Sequence, residues 1–145
     1  MDEKKLINLF SENAVLDGDK IILNNRLHES VSAALNDYNF DVLKDIKAID
    51  KGDGRFELIY HLYSMQNDEN LLYSITVSDE AESISDLFKS AIADENEIFD
   101  LFGIKFIGND NLQRMYMPES WKGYPLRKDY IQDDTRLAWN DDNNI

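Results

Sequence analysis

Two runs of period-two alternation around one polar turn constrain this chain more than any other feature. In residues 56–63, Phe56, Leu58, Tyr60 and Leu62 alternate with Glu57, Ile59, His61 and Tyr63. In residues 71–78, Leu71, Tyr73, Ile75 and Val77 alternate with Leu72, Ser74, Thr76 and Ser78. Successive strand side chains point to opposite faces, so each run offers one consistently apolar face, as a half-buried strand requires. Gly52-Asp53-Gly54 breaks the chain before the first run, and Gln66-Asn67-Asp68-Glu69-Asn70 turns it between the two. The pair predicts a long antiparallel hairpin.

Helical spacing flanks the hairpin. Leu6, Leu9 and Phe10 share a face behind an acidic start and predict a short helix over residues 2–12. Asp17-Gly18-Asp19 reads as a turn and Ile21-Ile22-Leu23 as a short strand. Val31, Ala34, Leu35 and Tyr38 recur at helical spacing, with Ser30 and Ser32 near the start and Asn39 placed to close the helix. Residues 42–49 are apolar enough for another strand, but no clear period shows in them. Ser83 and Asp86 have the look of a helix-opening pair. Behind them Ile84, Leu87, Phe88, Ala91 and Ile92 line one face, and the pattern runs on through Ile98, Phe99 and Phe102 to Gly103, where a left-handed stop belongs.

A short apolar run, residues 104–107, ends the periodic part. Residues 109–145 hold both prolines and both tryptophans without regular spacing. This order predicts an α+β fold, with helices packed on one face of a mainly antiparallel sheet. The expected organisation is an α+β domain over residues 1–107 and an extended C-terminal segment over residues 108–145 that packs on the domain or on a partner.

Charge narrows the function. Fifteen basic residues stand against 29 acidic ones, for a net charge of −14. A field of that sign repels phosphate backbones and anionic bilayers, which argues against nucleic acid and direct lipid binding. It serves solubility or an acidic docking face. The chain has no cysteine, which removes disulfides, thiolate metal sites, Fe–S ligation and cysteine catalysis. No apolar run approaches the roughly 20 residues a membrane helix needs. Met1-Asp2-Glu3-Lys4-Lys5-Leu6 is too charged for a signal peptide, so a cytoplasmic location is the expectation.

Few residues are arranged for chemistry. His28 and His61 are far apart on different predicted elements, and metal sites need several converging ligands. Glu95, Glu97 and Asp100 form the densest carboxylate cluster near apolar residues, and residues 97 and 100 share a helical face. Such a cluster serves acid–base work or a hard cation if it is concave and its pKa values are spread; otherwise it is a solvated or ion-paired face. Residues 121–130, Trp-Lys-Gly-Tyr-Pro-Leu-Arg-Lys-Asp-Tyr, concentrate aromatics, Gly, Pro and three basic residues in an acidic chain. Arg127 suits a bidentate carboxylate pair, either with Glu95, Glu97 and Asp100 or, together with Lys128, with a partner subunit. No dinucleotide-binding glycine motif, P-loop or nucleophile elbow occurs. The residues by themselves read as an acidic, single-domain interaction module.

Residues 95–129 resemble the signature of the thirty-kilodalton subunit (the C subunit) of NADH:quinone oxidoreductase, respiratory complex I. That family typically reads E-R-E-x-x-D-x-F-G-I-x-F-x-G-H-P-x-L-x-R and then W-x-G-x-P-L-R-K-D-Y. Here the first half supplies Glu95, Glu97, Asp100, Phe102, Gly103 and Arg114, and the second Trp121, Tyr124, Pro125, Arg127, Lys128 and Asp129. Asn96 replaces the arginine of the triplet, Asn109-Asp110 replace His-Pro, and Ala93-Asp94 stand where an aromatic is usual. The same domain occurs in energy-converting membrane-bound nickel–iron hydrogenases, and both branches stay open.

The resemblance implies a non-catalytic subunit of an oxidoreductase complex that carries no cofactor or metal itself. It would dock on the large catalytic subunit (quinone-site or hydrogenase), beside Fe–S subunits, in the cytoplasmic arm and peripheral to the membrane. Glu95, Glu97 and Asp100 would be ion-paired with the tail or partner, and Trp121, Tyr124, Arg127 and Lys128 would lie at the interface. Two other readings compete: a free-standing module of the same fold, and an enzyme or cation site built on the three carboxylates.

Overall fold

A computed structural model of the chain describes residues 15–18, 20–23, 26–114 and 123–128. The helix expected over residues 2–12 lies outside them. Strands β1 (Val15–Asp17) and β2 (Lys20–Leu23) form an antiparallel pair turned at Gly18, whose φ is 63°. Helix α1 (Leu27–Tyr38) follows and is closed by Asn39 in the left-handed conformation expected of it. Strands β3 (Val42–Asp50), β4 (Phe56–Ser64) and β5 (Glu69–Val77) come next, then β6 (Glu80–Glu82), helix α2 (Ala91–Phe102) and β7 (Lys105–Ile107).

The five-stranded sheet has the order β1-β2-β5-β4-β3. β4 and β5 form the expected hairpin, in register from Phe56 opposite Val77 to Ser64 opposite Glu69. β2 joins β5 in parallel, the one parallel pairing among the described strands of this sheet. The irregular period of residues 42–49 has a local cause. The register of β3 against β4 shifts between Leu43 and Asp45, so Lys44 is an extra residue. The next buried position after Leu43 is then Ile46, three residues on rather than two.

One sheet face carries the core. Leu58, Tyr60 and Leu62 of β4 stand opposite Ile75, Tyr73 and Leu71 of β5, and all six are buried. Leu27, Val31 and Ala34 of α1 and Ala91, Ile98 and Phe102 of α2 belong to the same buried cluster, so both helices pack on that face. Their apolar stripes exist to cover it, and burial of each large side chain contributes about 1.5–3 kcal/mol. The architecture is therefore α+β, as the pattern predicted.

The long helix expected from Ser83 begins later. Residues 85–90 form turns, with Leu87 and Phe88 N–H donating to Ile84 O, and Ala91 N–H to Phe88 O. Ile84, Phe88 and Ala91 are all buried. Successive turns with three- and four-residue bonds bury the same side as a helix would, which explains the helical spacing. Ser83 Oγ accepts from Ser85 N–H at 3.1 Å and donates to Glu95 at 2.7 Å, so it caps these turns rather than α2, which starts at Ala91.

Candidate functional site

The motif residues converge where α2 ends. The helix needs a left-handed residue to stop, and Gly103 supplies it with φ 80°, its N–H donating to Phe99 O at 2.9 Å. A Cβ at Gly103 would stand 2.6 Å from the ring of Tyr124. Glycine is thus required twice, for the backbone angle and for the ring lying on it. That ring also meets Phe99, at 6.2 Å between centroids. Leu126 N–H donates to Leu101 O at 3.0 Å, filling one of the carbonyls a helix C-terminus leaves open. Phe102 packs edge-to-face on Phe56 at 5.9 Å.

Arg114 locks this arrangement. Its Nε donates to Asp100 Oδ1 at 2.6 Å, and one terminal nitrogen donates to Asp100 O at 2.7 Å and Gly123 O at 3.1 Å. The guanidinium also lies 5.0 Å from the Tyr124 ring centroid. Asp100 is fully buried and Arg114 nearly so. A buried charge is tolerable only when paired and hydrogen-bonded, which this one is. Farther on, Lys128 N–H donates to Asp50 Oδ2, and Gly52 N–H to Asp50 Oδ1, both at 2.7 Å. These two bonds, the Lys128 one foremost, hold the Asp50 carboxyl below its ordinary range.

Glu95 does a different job. It is fully buried and accepts from Ser83 Oγ at 2.7 Å, Ile84 N–H at 2.9 Å and Asn109 Nδ2 at 3.0 Å. It thereby ties the turns before α2 and the loop after β7 to the helix. No cation pairs with it among the described residues. Burial pushes its carboxyl up, against the opposing effect of the three hydrogen bonds. Two of the three departures from the family pattern make bonds here: Asn109 donates to Glu95, and Asn96 Oδ1 accepts from Gln113 N–H at 3.3 Å.

The three carboxylates therefore do not share an opening. Glu95 faces Ser83 and Asn109, Asp100 faces Arg114, and Glu97 is half-buried beside β3. No group of three or more His, Asp or Glu side chains able to hold a metal occurs among the described residues. Arg127 does not pair with this cluster, because the bond from Leu126 to Leu101 carries the chain past the helix end. Its guanidinium lies 5.0 Å from the Phe56 ring centroid and 5.7 Å from that of Tyr124, and its nearest carboxylate is exposed Asp79 at 3.9 Å. Trp121 and Asp129 lie outside the described residues. His28 contacts Asp86 at 2.9 Å and His61 contacts Asn70 at 2.8 Å, so each histidine has a local polar partner. Spacing alone could not reveal the roles of Ser83, Asp50 and Phe56, since each acts on residues distant in sequence.

The fold is an α+β layer closed by this helix-end clasp, and comparison with known proteins gives its family. Residues 21–136 match the family described as respiratory-chain NADH dehydrogenase, 30 Kd subunit, and the chain belongs to that family. It is 34% identical over 109 residues to the C/D subunit of NADH-quinone oxidoreductase from Phocaeicola vulgatus, covering 72% of this chain and 21% of that protein. It is 37% identical over 117 residues to the J subunit of NAD(P)H-quinone oxidoreductase from a Synechococcus strain (WH7803), covering 72% of this chain and 64% of that one. The aligned region thus spans about a fifth of the first relative and under two thirds of the second. A chain in the structure of the membrane-bound sulfane sulfur reductase, an archaeal respiratory membrane complex, has the same fold, with a TM-score of 0.72 at 20% identity over 99% of this chain and 91% of that one.

Proposed function

We propose that this chain is a non-catalytic, peripheral-arm subunit of a complex I-like NADH:quinone oxidoreductase or an energy-converting membrane-bound hydrogenase. It docks on the large catalytic subunit beside Fe–S subunits, on the cytoplasmic side, and meets the membrane only through the complex. Redox centres belong to those partners, in keeping with a chain that has no cysteine to hold a cluster.

The observation that carries this reading is the apolar surface beside the clasp. Leu126 is 53% exposed and Ile49 45% exposed. Both line a groove of about 330 Å³ between β3 and α2, with Ile46, Glu97, Ile98 and Leu101. Large exposed side chains gathered at a groove mark interaction surfaces. In this reading Glu95, Asp100, Phe102, Gly103, Arg114 and Tyr124 fix the backbone of the C-terminal segment. Pro125, Arg127 and Lys128, with Trp121 and Asp129, meet the large subunit. Residues 1–107 are the domain, and residues 108–145 are its docking arm. Aromatic and arginine side chains concentrate binding energy at such interfaces.

Leu126→Glu and Arg127→Ala test it. Each variant should keep the wild-type melting temperature within a few degrees and recover less of the large subunit on co-purification from the native host. Undiminished recovery with both variants would contradict the docking role.

A further inference from the structure

The sheet face opposite the core carries a second surface, which the clasp does not use. Register places Lys20, Leu72, His61 and Asp45 side by side across β2, β5, β4 and β3. The next row is Ile22, Ser74, Ile59 and Lys47. Antiparallel sheets with one solvated face are normally polar on it. Here Ile22, Ile59 and Leu72 form a half-exposed apolar strip at its centre.

Lysines stand on both sides of that strip. Lys20 lies on β2, and Lys44 and Lys47 on β3, around a groove of about 600 Å³ floored by Ile59 and Leu72. Lys44 is the extra residue of the β3 bulge, so the bulge adds a second lysine to that flank. Lys44 and Lys47 are exposed, and neither has an ion pair among the described residues, although Lys44 Nζ lies 4.6 Å from the Tyr63 ring centroid. Lys20 is paired with Glu57 at 3.2 Å, and Asp45 is the one carboxylate among the described lining residues. This is a basic, part-apolar groove in a chain of net charge −14. The flanking strands are three strand spacings apart, roughly 14 Å. That width admits one α-helix, whose diameter is roughly 10 Å.

We propose that this groove seats an acidic amphipathic helix of a neighbouring subunit. The helix lays its apolar stripe on Ile59 and Leu72 and turns its carboxylates toward Lys44 and Lys47, while Lys20, bonded to Glu57, walls the other side. Charge complementarity selects the partner, while the acidic remainder of the chain turns nucleic acid away. That the helix belongs to a neighbouring subunit rests on the function proposed above; the preference of the groove for an acidic helix does not.

Two measurements test it. The first adds a synthetic 14-residue peptide, with leucines on one helical face and glutamates flanking them, to the isotope-labelled chain. Amide shifts should gather at Lys20, Lys44, Lys47, Ile59, His61 and Leu72, and Lys44→Glu/Lys47→Glu should weaken binding about tenfold. The second compares co-purification of the wild type and that double variant from the native host, with Lys44→Ala/Lys47→Ala as a milder control. Loss of one partner subunit from the variants supports the proposal. Equal recovery overturns the groove as a docking site and leaves the subunit assignment standing. If the wild type recovers no redox subunit, the assignment falls and the peptide titration alone decides the groove. No shifts, shifts elsewhere, equal binding of a nucleic acid oligomer, or displacement of the peptide by the chain's own residues 1–14 would overturn it.

Discussion

The ring of Tyr124 rests on the Cα of Gly103, so close that a single added carbon would stand 2.6 Å from it. The C-terminal segment therefore reads the end of α2 through the absence of a side chain. Gly103→Ala adds both a left-handed non-glycine residue and a clash with an aromatic ring. It should destabilise the fold by roughly 1–3 kcal/mol, seen as a lower urea midpoint with the slope unchanged. The near-ultraviolet signal of Tyr124 should also change.

The pair of Arg114 and Asp100 behaves differently when broken from either side. Arg114→Ala leaves a buried carboxylate without its cation and should cost about 3–5 kcal/mol. Arg114→Lys should not restore stability, because one ammonium cannot reach the carboxylate, the Asp100 carbonyl and the Gly123 carbonyl together. A double-mutant cycle with Asp100→Asn should give a large coupling energy. Simple additivity would count against the clasp.

Tyr60 is fully buried, and its hydroxyl has no hydrogen-bond partner among the described residues. An unpartnered buried polar group is a standing penalty of about 1–3 kcal/mol. Tyr60→Phe should therefore leave stability unchanged or raise it, where an ordinary buried tyrosine would lose. Thermal unfolding of the two proteins makes the comparison.

Two carboxylates give opposite pH dependences. Burial holds Glu95 above its ordinary value of 4.5. The folded state then binds more protons than the unfolded one just above that pH, and stability falls as pH rises from 4.5 through the raised value. Asp50 is held below its ordinary value of 3.8, chiefly by the Lys128 N–H. Its stabilisation is present above 3.8 and is lost as pH falls through the lowered value. Glu95→Gln should flatten the first slope and Asp50→Asn the second, in urea unfolding between about pH 2 and pH 7.

Local pattern revealed the parts of this fold that local physics determines. The hairpin of β4 and β5, the Asn39 stop and the Gly103 stop each follow from residues within a few positions of one another. The β3 bulge hid its strand period because the phase changes at Lys44. The turns at 85–90 passed for helix because they bury the same side. The site was legible as a set of motif residues but not as a geometry. Spacing offers Arg127 either to the carboxylates or to a partner subunit; Arg114 holds Asp100, and Arg127 lies over Phe56. The lysine-flanked groove was invisible in sequence, since it depends on β2 pairing in parallel with β5.

Whether this chain works as a docked subunit is decided by an affinity pull-down of the tagged chain from its native host, under conditions that preserve membrane complexes. Mass spectrometry should recover a large redox subunit together with Fe–S partners. Recovery of the chain alone would contradict the docked role and favour a free-standing module of the same fold.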